Sequence, residues 1–136
     1  MKKLFIVVFL ISLTLQVIAP DPESLVISEF PPVEPYKKLI YAVGMVEGKG
    51  DTATYNELEM AAGYFQIRPV RLEDYNGRTG NKYTLEDMFS YKISEKIFLY
   101  YASQIGPYDI EKIARNWNGR GVKTIEYWKK IKKFLE

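Results

Sequence analysis

Glu47 is the residue whose position most clearly suits it to chemistry, because it extends an apolar helical stripe. A predicted helix carries Tyr36, Ile40 and Val43 on one face, and Glu47 follows Val43 by four residues on that face. Burial and the negative end of the helix dipole would both raise the pKa of a carboxyl group placed there. A carboxylic acid still protonated near neutral pH suits a general acid for glycosidic cleavage. The alternative is a glutamate that ends the helix and bends out into water.

The 136 residues contain neither cysteine nor histidine, and this absence excludes several classes of catalyst. Without cysteine there is no disulfide framework, catalytic thiol or thiolate zinc site. Without histidine there is no Ser-His-Asp triad, and a typical zinc enzyme site is not expected either. The scattered acidic residues also lack the spacing of a calcium loop. We therefore expect no metal and no cofactor, and acid–base chemistry must come from carboxylates, lysine or tyrosine.

Three further segments that are rich in polar and small residues follow Glu47 in order along the chain. They are Tyr55-Asn56-x-x-Glu59-x-Ala61-x-Gly63-x-Phe65-Gln66-Ile67-x-Pro69, Ile113-Ala114-Arg115-Asn116-Trp117-Asn118-Gly119 and Thr124-Ile125-Glu126-Tyr127-Trp128. Together with Glu47 they resemble the lytic transglycosylase family with the goose-type lysozyme-like fold. Members of that family have a glutamate at a helix end, then Gly-x-x-Gln-Ile, then an asparagine ending a later helix, then Thr-x-x-Tyr.

The resemblance implies a helical, lysozyme-like domain that cleaves the β-1,4 bond between N-acetylmuramic acid and N-acetylglucosamine in peptidoglycan. It implies that Glu47 is the sole acid and base, and that the product is a 1,6-anhydro sugar formed without water. The substrate-binding residues that it implies are Gly63, Tyr64, Gln66, Asn118 and Tyr127.

Four of those five binding residues also have a purely structural interpretation. Gly63 suits a tight turn, Gln66 a buried amide bonded to backbone, and Asn118 a helix C-cap. Tyr127 suits a packed core aromatic, and we expect Tyr64 to face the groove. Two neighbours of these residues are expected to be structural, Glu59 in the loop and Trp117 in the core.

The chain departs from the family pattern at two places. The family commonly has serine after the catalytic glutamate, where this chain has Gly48, and Tyr-Asn-Ala-Gly is replaced by Trp117-Asn118-Gly119-Arg120. The departures leave two alternatives open. One is a muramidase that hydrolyses the same bond, with Asp51 holding a water, and the other is a non-catalytic glycan-binding domain.

The first 19 residues have the layout of a secretory signal peptide, with Lys2 and Lys3 before an apolar run that leads to Ala19. Because Pro20 disfavours cleavage directly before it, an uncleaved membrane anchor is the alternative. Both interpretations place the folded part outside the cytoplasm, in the periplasm or secreted. Residues 20–35, with five prolines and four acidic residues, are expected to form a linker to a domain spanning residues 36–136.

The net charge of +2 conceals an uneven distribution. Removing Lys2 and Lys3 from the 19 basic residues leaves 17, equal to the 17 acidic residues. Residues 112–136 contain 8 basic and 2 acidic side chains, whereas residues 20–111 contain 9 and 15. A basic terminal helix can attract an anionic polymer, but such a run is usually a solvated face. We expect a monomer whose partner is the glycan strand rather than nucleic acid, with membrane contact only through an uncleaved N-terminus.

Helical spacing recurs along the chain and is expected to bring these segments together. We predict helices from Pro35 to Gly48, Pro69 to Asn76-Gly77, Ser90 to Gly106, Asp109 to Asn118-Gly119 and Thr124 to Leu135. Asp109 and Thr124 are the expected N-caps of the last two helices. Strand signals are few, with at most a small hairpin near residues 55–67. The predicted class is therefore mainly α.

Overall fold

The computed structural model describes residues 32–136, in which five α-helices surround one small antiparallel sheet. The elements are α1 (Lys37–Glu47), β1 (Tyr55–Asn56), β2 (Ala61–Ala62), α2 (Pro69–Thr79), α3 (Tyr91–Ile105), α4 (Ile110–Asn118) and α5 (Lys123–Lys132), with 3-10 turns at Glu34–Tyr36 and Glu86–Phe89. The mainly α class is confirmed. The predicted signal peptide and most of the predicted linker lie outside the described residues. Within those residues, no helix has the length and apolar character needed to cross a bilayer.

Helix α1 places Glu47 at the end of a buried apolar stripe. Leu39, Ile40 and Val43 are buried in the core, and Glu47 is the last helical residue. The N–H of Gly48 then donates to the carbonyl oxygen four residues earlier at 2.9 Å, which closes the final turn. The periodicity of the sequence therefore gave the correct face and the correct end of this helix.

The short hairpin after α1 depends on a glycine. Ala62 bridges to Ile67 through two backbone hydrogen bonds of 3.0 and 3.1 Å, so the chain reverses sharply between them. Gly63 has a φ of +79° in this turn, and a Cβ atom there would collide with the carbonyl oxygen of Met88. Both the backbone conformation and the close approach thus require glycine.

We expect Gly63→Ala to lower the free energy of unfolding by about 2–5 kcal/mol, through backbone strain and overpacking against main chain. Gly77→Ala is the matched control, because Gly77 lies within α2 and a Cβ atom there meets nothing within 4 Å. That control should raise stability by about 0.5–1 kcal/mol, since alanine is the better helix former. Urea unfolding of both variants tests the pair, and effects of the same sign would contradict it.

Helix α2 is longer than predicted. It continues to Thr79 and ends at Gly80, which has a φ of +73°, instead of stopping at Asn76-Gly77. The side-chain amide of Asn76 bonds the backbone oxygen and nitrogen of Tyr83 at 2.8 and 3.2 Å. Asn76 therefore ties down the following loop and does not end the helix.

Of the N-caps predicted for the last two helices, one is confirmed and the other is wrong. Asp109 accepts the N–H of Lys112 at 2.9 Å and caps α4 as expected. Thr124 lies inside α5, where its hydroxyl donates to the carbonyl oxygen of Gly121 at 2.7 Å and accepts from Arg115 at 3.1 Å. The helix begins one residue earlier, at Lys123, so Thr124 is not at the N-cap position.

An aromatic cluster joins the hairpin to α3 and α4. The rings of Phe65 and Phe98 are fully buried and stack with centroids 5.0 Å apart, and Trp117 meets Phe98 edge-on at 5.0 Å. The indole N–H of Trp117 donates to the carbonyl oxygen of Phe65 at 3.2 Å. Gln66 directly follows Phe65, and Asn118 directly follows Trp117. The contact between the two aromatic residues therefore sets where both amide side chains lie.

Candidate active site

A cavity of about 460 Å³ opens where the C-terminal ends of α1 and α4 meet the first turns of α2. Glu47, Gln66 and Asn118 line it, which brings together three of the six site residues predicted from the sequence. Its volume lies in the range typical of small-ligand sites in proteins. Residues from three of the four motifs, up to about 70 residues apart in the chain, therefore meet at one concave surface.

Glu47 is a mostly buried carboxyl group in this cavity. Burial raises its pKa to about 7, the same direction that its place on the apolar stripe predicts. The Tyr127 hydroxyl and the positive charges of Arg68 and Arg71 oppose the rise, and the negative charge of Glu59 adds to it. A substantial fraction of Glu47 is therefore protonated near neutral pH and able to give up a proton.

Tyr127 reaches Glu47 from α5. Its ring packs in the core. Its hydroxyl is buried, and no group among the described residues lies in hydrogen-bonding geometry with it. Glu47 nevertheless lies close enough that burial, followed by the negative charge of Glu47, raises the pKa of Tyr127. The two groups thus form a loose contact in which the hydroxyl remains a proton donor to the carboxylate. Contacts of this kind commonly tighten when a ligand binds.

We expect Tyr127→Phe to raise the pKa of Glu47 above its present value near 7, because the hydroxyl lowers that pKa. Stability should change by less than about 1 kcal/mol, since no well-formed hydrogen bond is lost. Titration of the carbon-13-labelled Glu47 carboxyl by NMR measures the shift directly. An unchanged or lower pKa would show that the hydroxyl does not act on Glu47.

Gln66 presents only part of its side chain to the cavity. Its amide nitrogen donates to the carbonyl oxygens of Thr54 and Gly63, both at 3.0 Å. These bonds hold Gln66 at a φ of +49° and use both of its amide hydrogens. Its amide oxygen has no donor within residues 32–136 and is left to accept from a ligand. The Gln66 side chain is thus bonded to backbone through its nitrogen, and it can bind a ligand through its oxygen.

Asn118 is the last residue of α4, and its side chain is half-buried at the cavity. The backbone N–H of Gly119, with a φ of +140°, closes the helix by donating to the carbonyl oxygen of Arg115 at 3.1 Å. The Asn118 amide forms no hydrogen bond with any part of the chain that the structure describes. Its donors and its acceptor are therefore available to a ligand, and a C-cap role is not needed to explain the residue.

Gly63 and Tyr64 shape the hairpin and do not line the cavity. The Gly63 backbone is pressed against Met88, which fits the tight-turn interpretation. The Tyr64 ring covers Gly44 of α1 so closely that a Cβ atom there would overlap it, and it packs edge-on against Tyr91 at 5.1 Å. Both residues thus hold the hairpin against the helix that carries Glu47.

Gly48, where the family commonly has serine, packs against the backbone of the same hairpin. A Cβ atom at Gly48 would lie 2.7 Å from the carbonyl oxygen of Tyr64 and 3.0 Å from that of Asp51. The carbonyl oxygen of Gly48 also accepts from the Thr54 hydroxyl at 2.9 Å. A serine would fit only if the hairpin moved away from α1, so this departure has a packing cause.

The sequence reasoning missed the charged wall of the cavity on α2. Arg71 and Asp74 lie three residues apart on one face of α2, and Arg68 comes directly before the helix; this spacing is the signal that could have found them. The Arg71 guanidinium lies 4.2 Å from the ring centroid of Trp117 and 4.9 Å from that of Tyr101. It also donates to the carbonyl oxygen of Trp117 at 2.9 Å, at the C-terminal end of α4.

The other carboxyl groups near Glu47 are already engaged or lie elsewhere. Asp74 lines the cavity but accepts from the Tyr101 hydroxyl at 2.6 Å and from Arg78 at 2.8 and 2.9 Å. These hydrogen bonds lower the pKa of Asp74, so it stays ionised. Asp51 is exposed, bonds a backbone N–H two residues on at 2.8 Å, and does not line the cavity.

Comparisons with protein-family models, curated proteins and solved structures found no match to this chain. The likeness to lytic transglycosylases therefore depends on its four motifs. Fold and site together define a mainly helical protein with a mostly buried carboxylic acid in a polar, arginine-rich cavity.

Proposed function

We propose that this protein is a lytic transglycosylase with a lysozyme-like helical domain, acting on the bond between N-acetylmuramic acid and N-acetylglucosamine in peptidoglycan. The observation that carries the proposal is Glu47, a mostly buried carboxyl group with a pKa of about 7 in a cavity shared with Gln66 and Asn118. Glycosidic cleavage needs a group that is still protonated at neutral pH. The order of the four motifs along the chain supports the same activity.

In the proposed reaction Glu47 first acts as acid and then as base. It gives its proton to the bridging oxygen as the glycosidic bond breaks, and the leaving sugar carries that proton away. The Glu47 carboxylate then takes the proton of the 6-hydroxyl, whose oxygen bonds to the anomeric carbon of the same muramic sugar. Glu47 ends protonated, as it began, and no water is consumed. The acetamido group of the substrate can assist, so no second carboxylate is required.

The neighbouring polar groups have separate roles in this scheme. The amide oxygen of Gln66 accepts from a sugar hydroxyl or acetamide N–H, and the Asn118 amide both donates and accepts. Tyr127 is a positioning residue that donates to the Glu47 carboxylate after proton transfer. Hydrolysis would need a held water, but Asp51 lies away from the cavity and Asp74 is already hydrogen-bonded. We propose ring closure for that reason, at a monomeric enzyme exported from the cytoplasm.

Product analysis tests the proposal. Purified peptidoglycan is incubated with the protein, and the released fragments are identified by mass spectrometry. We expect 1,6-anhydro-muramyl ends. Reducing ends alone would mean a muramidase, and retention on peptidoglycan without any cleavage would mean a glycan-binding domain.

A further inference from the structure

Two of the charged groups that line the cavity are neutralised by partners outside it. Asp74 forms a salt bridge with Arg78 at 2.8 Å, and Arg68 forms one with Glu59 at 2.7 Å. These pairs cancel one negative and one positive charge of the lining. The electrostatic character of the cavity therefore depends on its remaining charged side chains.

The remaining cations are Arg71 and Arg120, and neither forms a salt bridge within residues 32–136. Arg71 is half-buried and held by its stacking on Trp117 and Tyr101. One of its terminal nitrogens bonds the carbonyl oxygen of Trp117, which leaves the other N–H donors of the guanidinium for a ligand. Such a fixed, stacked guanidinium is the arrangement in which arginine differs most from lysine.

Arg120 follows α4 in an exposed loop and lines the same cavity, two residues after Asn118. Together with Gly119 it also borders a second cavity of about 510 Å³, so it stands between the two. The two unpaired guanidinium groups and the Glu47 acid thus face one volume. The carboxyl groups that line it are Asp74, which is held by Arg78 and Tyr101, and Glu47, which is partly protonated near neutral pH.

We infer that Arg71 and Arg120 bind a carboxylate carried by the substrate sugar, so that the preferred substrate is a glycan strand with free lactyl carboxylates. This inference rests on the proposed function. Guanidinium groups match carboxylates in geometry and charge. In strands that still bear peptides, the same lactyl carboxyl is an uncharged amide. The reaction that supplies the preferred substrate is therefore hydrolysis of the amide bond between the lactyl group and the peptide.

The test compares two substrates that differ only in this charge. Peptide-free glycan strands are used as they are, or after their carboxyl groups have been converted to primary amides with carbodiimide and ammonia. For the unmodified protein we expect KM to be about tenfold lower for the acidic strands, with similar kcat. Arg120→Gln should raise KM for the acidic strands alone, and Arg71→Lys should do the same. The Lys92→Gln control, which removes one exposed charge that lines neither cavity, should leave the ratio unchanged.

Binding to the Glu47→Gln variant separates this inference from the proposed function. Calorimetry with acidic and amidated strands reports charge preference whether or not cleavage occurs. Equal affinity for the two strands would overturn the inference even if anhydro products form. A tenfold preference without cleavage by the unmodified protein would overturn only the proposed activity. Because Arg120 is exposed, its variant remains informative if Arg71→Lys fails to fold.

Discussion

Replacement of Glu47 by glutamine is expected to slow glycan-strand cleavage by about 10³-fold or more while the protein stays folded. Glutamine has nearly the same shape but has no proton to give at neutral pH. In the proposed reaction one carboxyl group serves both chemical steps, so its loss affects bond cleavage and ring closure together. The measurement is the initial rate of anhydro-product release from purified peptidoglycan. If the proposed reaction is right, the unmodified protein should itself lose activity above about pH 7, as Glu47 ionises.

Glu57→Gln is the matched control for that experiment. Glu57 lies between β1 and β2, is exposed, and does not line the cavity. The same chemical change there should leave the rate within about twofold, because surface substitutions away from a site rarely matter. A rate for Glu47→Gln within tenfold of the unmodified protein would show that another group supplies the proton.

The part of the site that sequence could predict is the part governed by local periodicity. The stripe from Tyr36 through Val43 sets the face of α1, and the face decides that Glu47 is mostly buried. Gln66 and Asn118 were found through family motifs, and the aromatic contact between the residues that precede them places both at one cavity. Local pattern and resemblance therefore led to the acid and the two amides.

The arginine wall could not be predicted in the same way, because its role arises from packing between distant segments. The sequence shows Arg71 as one charge in the first half of α2. Its stacking on Trp117, 46 residues later, exists only because α2 lies across the end of α4. Tyr101 was missed for a similar reason. It lies on α3, 27 residues after Asp74, and its hydroxyl donates to the Asp74 carboxylate. Residue spacing gives the face of one helix but not the helix that faces it.

Tyr64 illustrates the opposite case, in which a motif suggests a groove-facing residue and the ring packs against α1. Its neighbours in the chain belong to the resemblance, so we expected it to face the groove. The absence of a side chain at Gly44 leaves room on α1, and the ring fills that room. The missing side chain at Gly48 allows the hairpin backbone to approach equally closely. Gly44 in α1 and Gly48 directly after the helix thus decide the orientation of a residue 16 to 20 positions away.

Replacement of Glu47 by glutamine should also have a large effect on stability. Whereas the substitution should lower activity, it should protect the protein from a loss of unfolding free energy at higher pH. In the unfolded chain the carboxyl titrates near its ordinary value of 4.5, whereas in the folded protein its pKa is about 7. Between these values the folded state binds more protons, so the free energy of unfolding falls as pH rises through this window and levels off above it. A shift of this size corresponds to about 3 kcal/mol. Glutamine does not titrate, so the variant escapes the loss.

We therefore expect the free energy of unfolding of Glu47→Gln, relative to the unmodified protein, to be about 2–3 kcal/mol greater at pH 8 than at pH 4. Urea unfolding at intervals across that range measures the difference, and the other carboxyl groups cancel because both proteins contain them. In a domain of this size the change corresponds to about 4–8 °C in Tm per kcal/mol. The Glu57→Gln control, a change at an exposed site, should alter the free energy of unfolding by less than about 0.5 kcal/mol. A flat difference for Glu47→Gln would mean that Glu47 is ionised in the folded protein at neutral pH, and it would remove the physical basis for a single buried acid at this site.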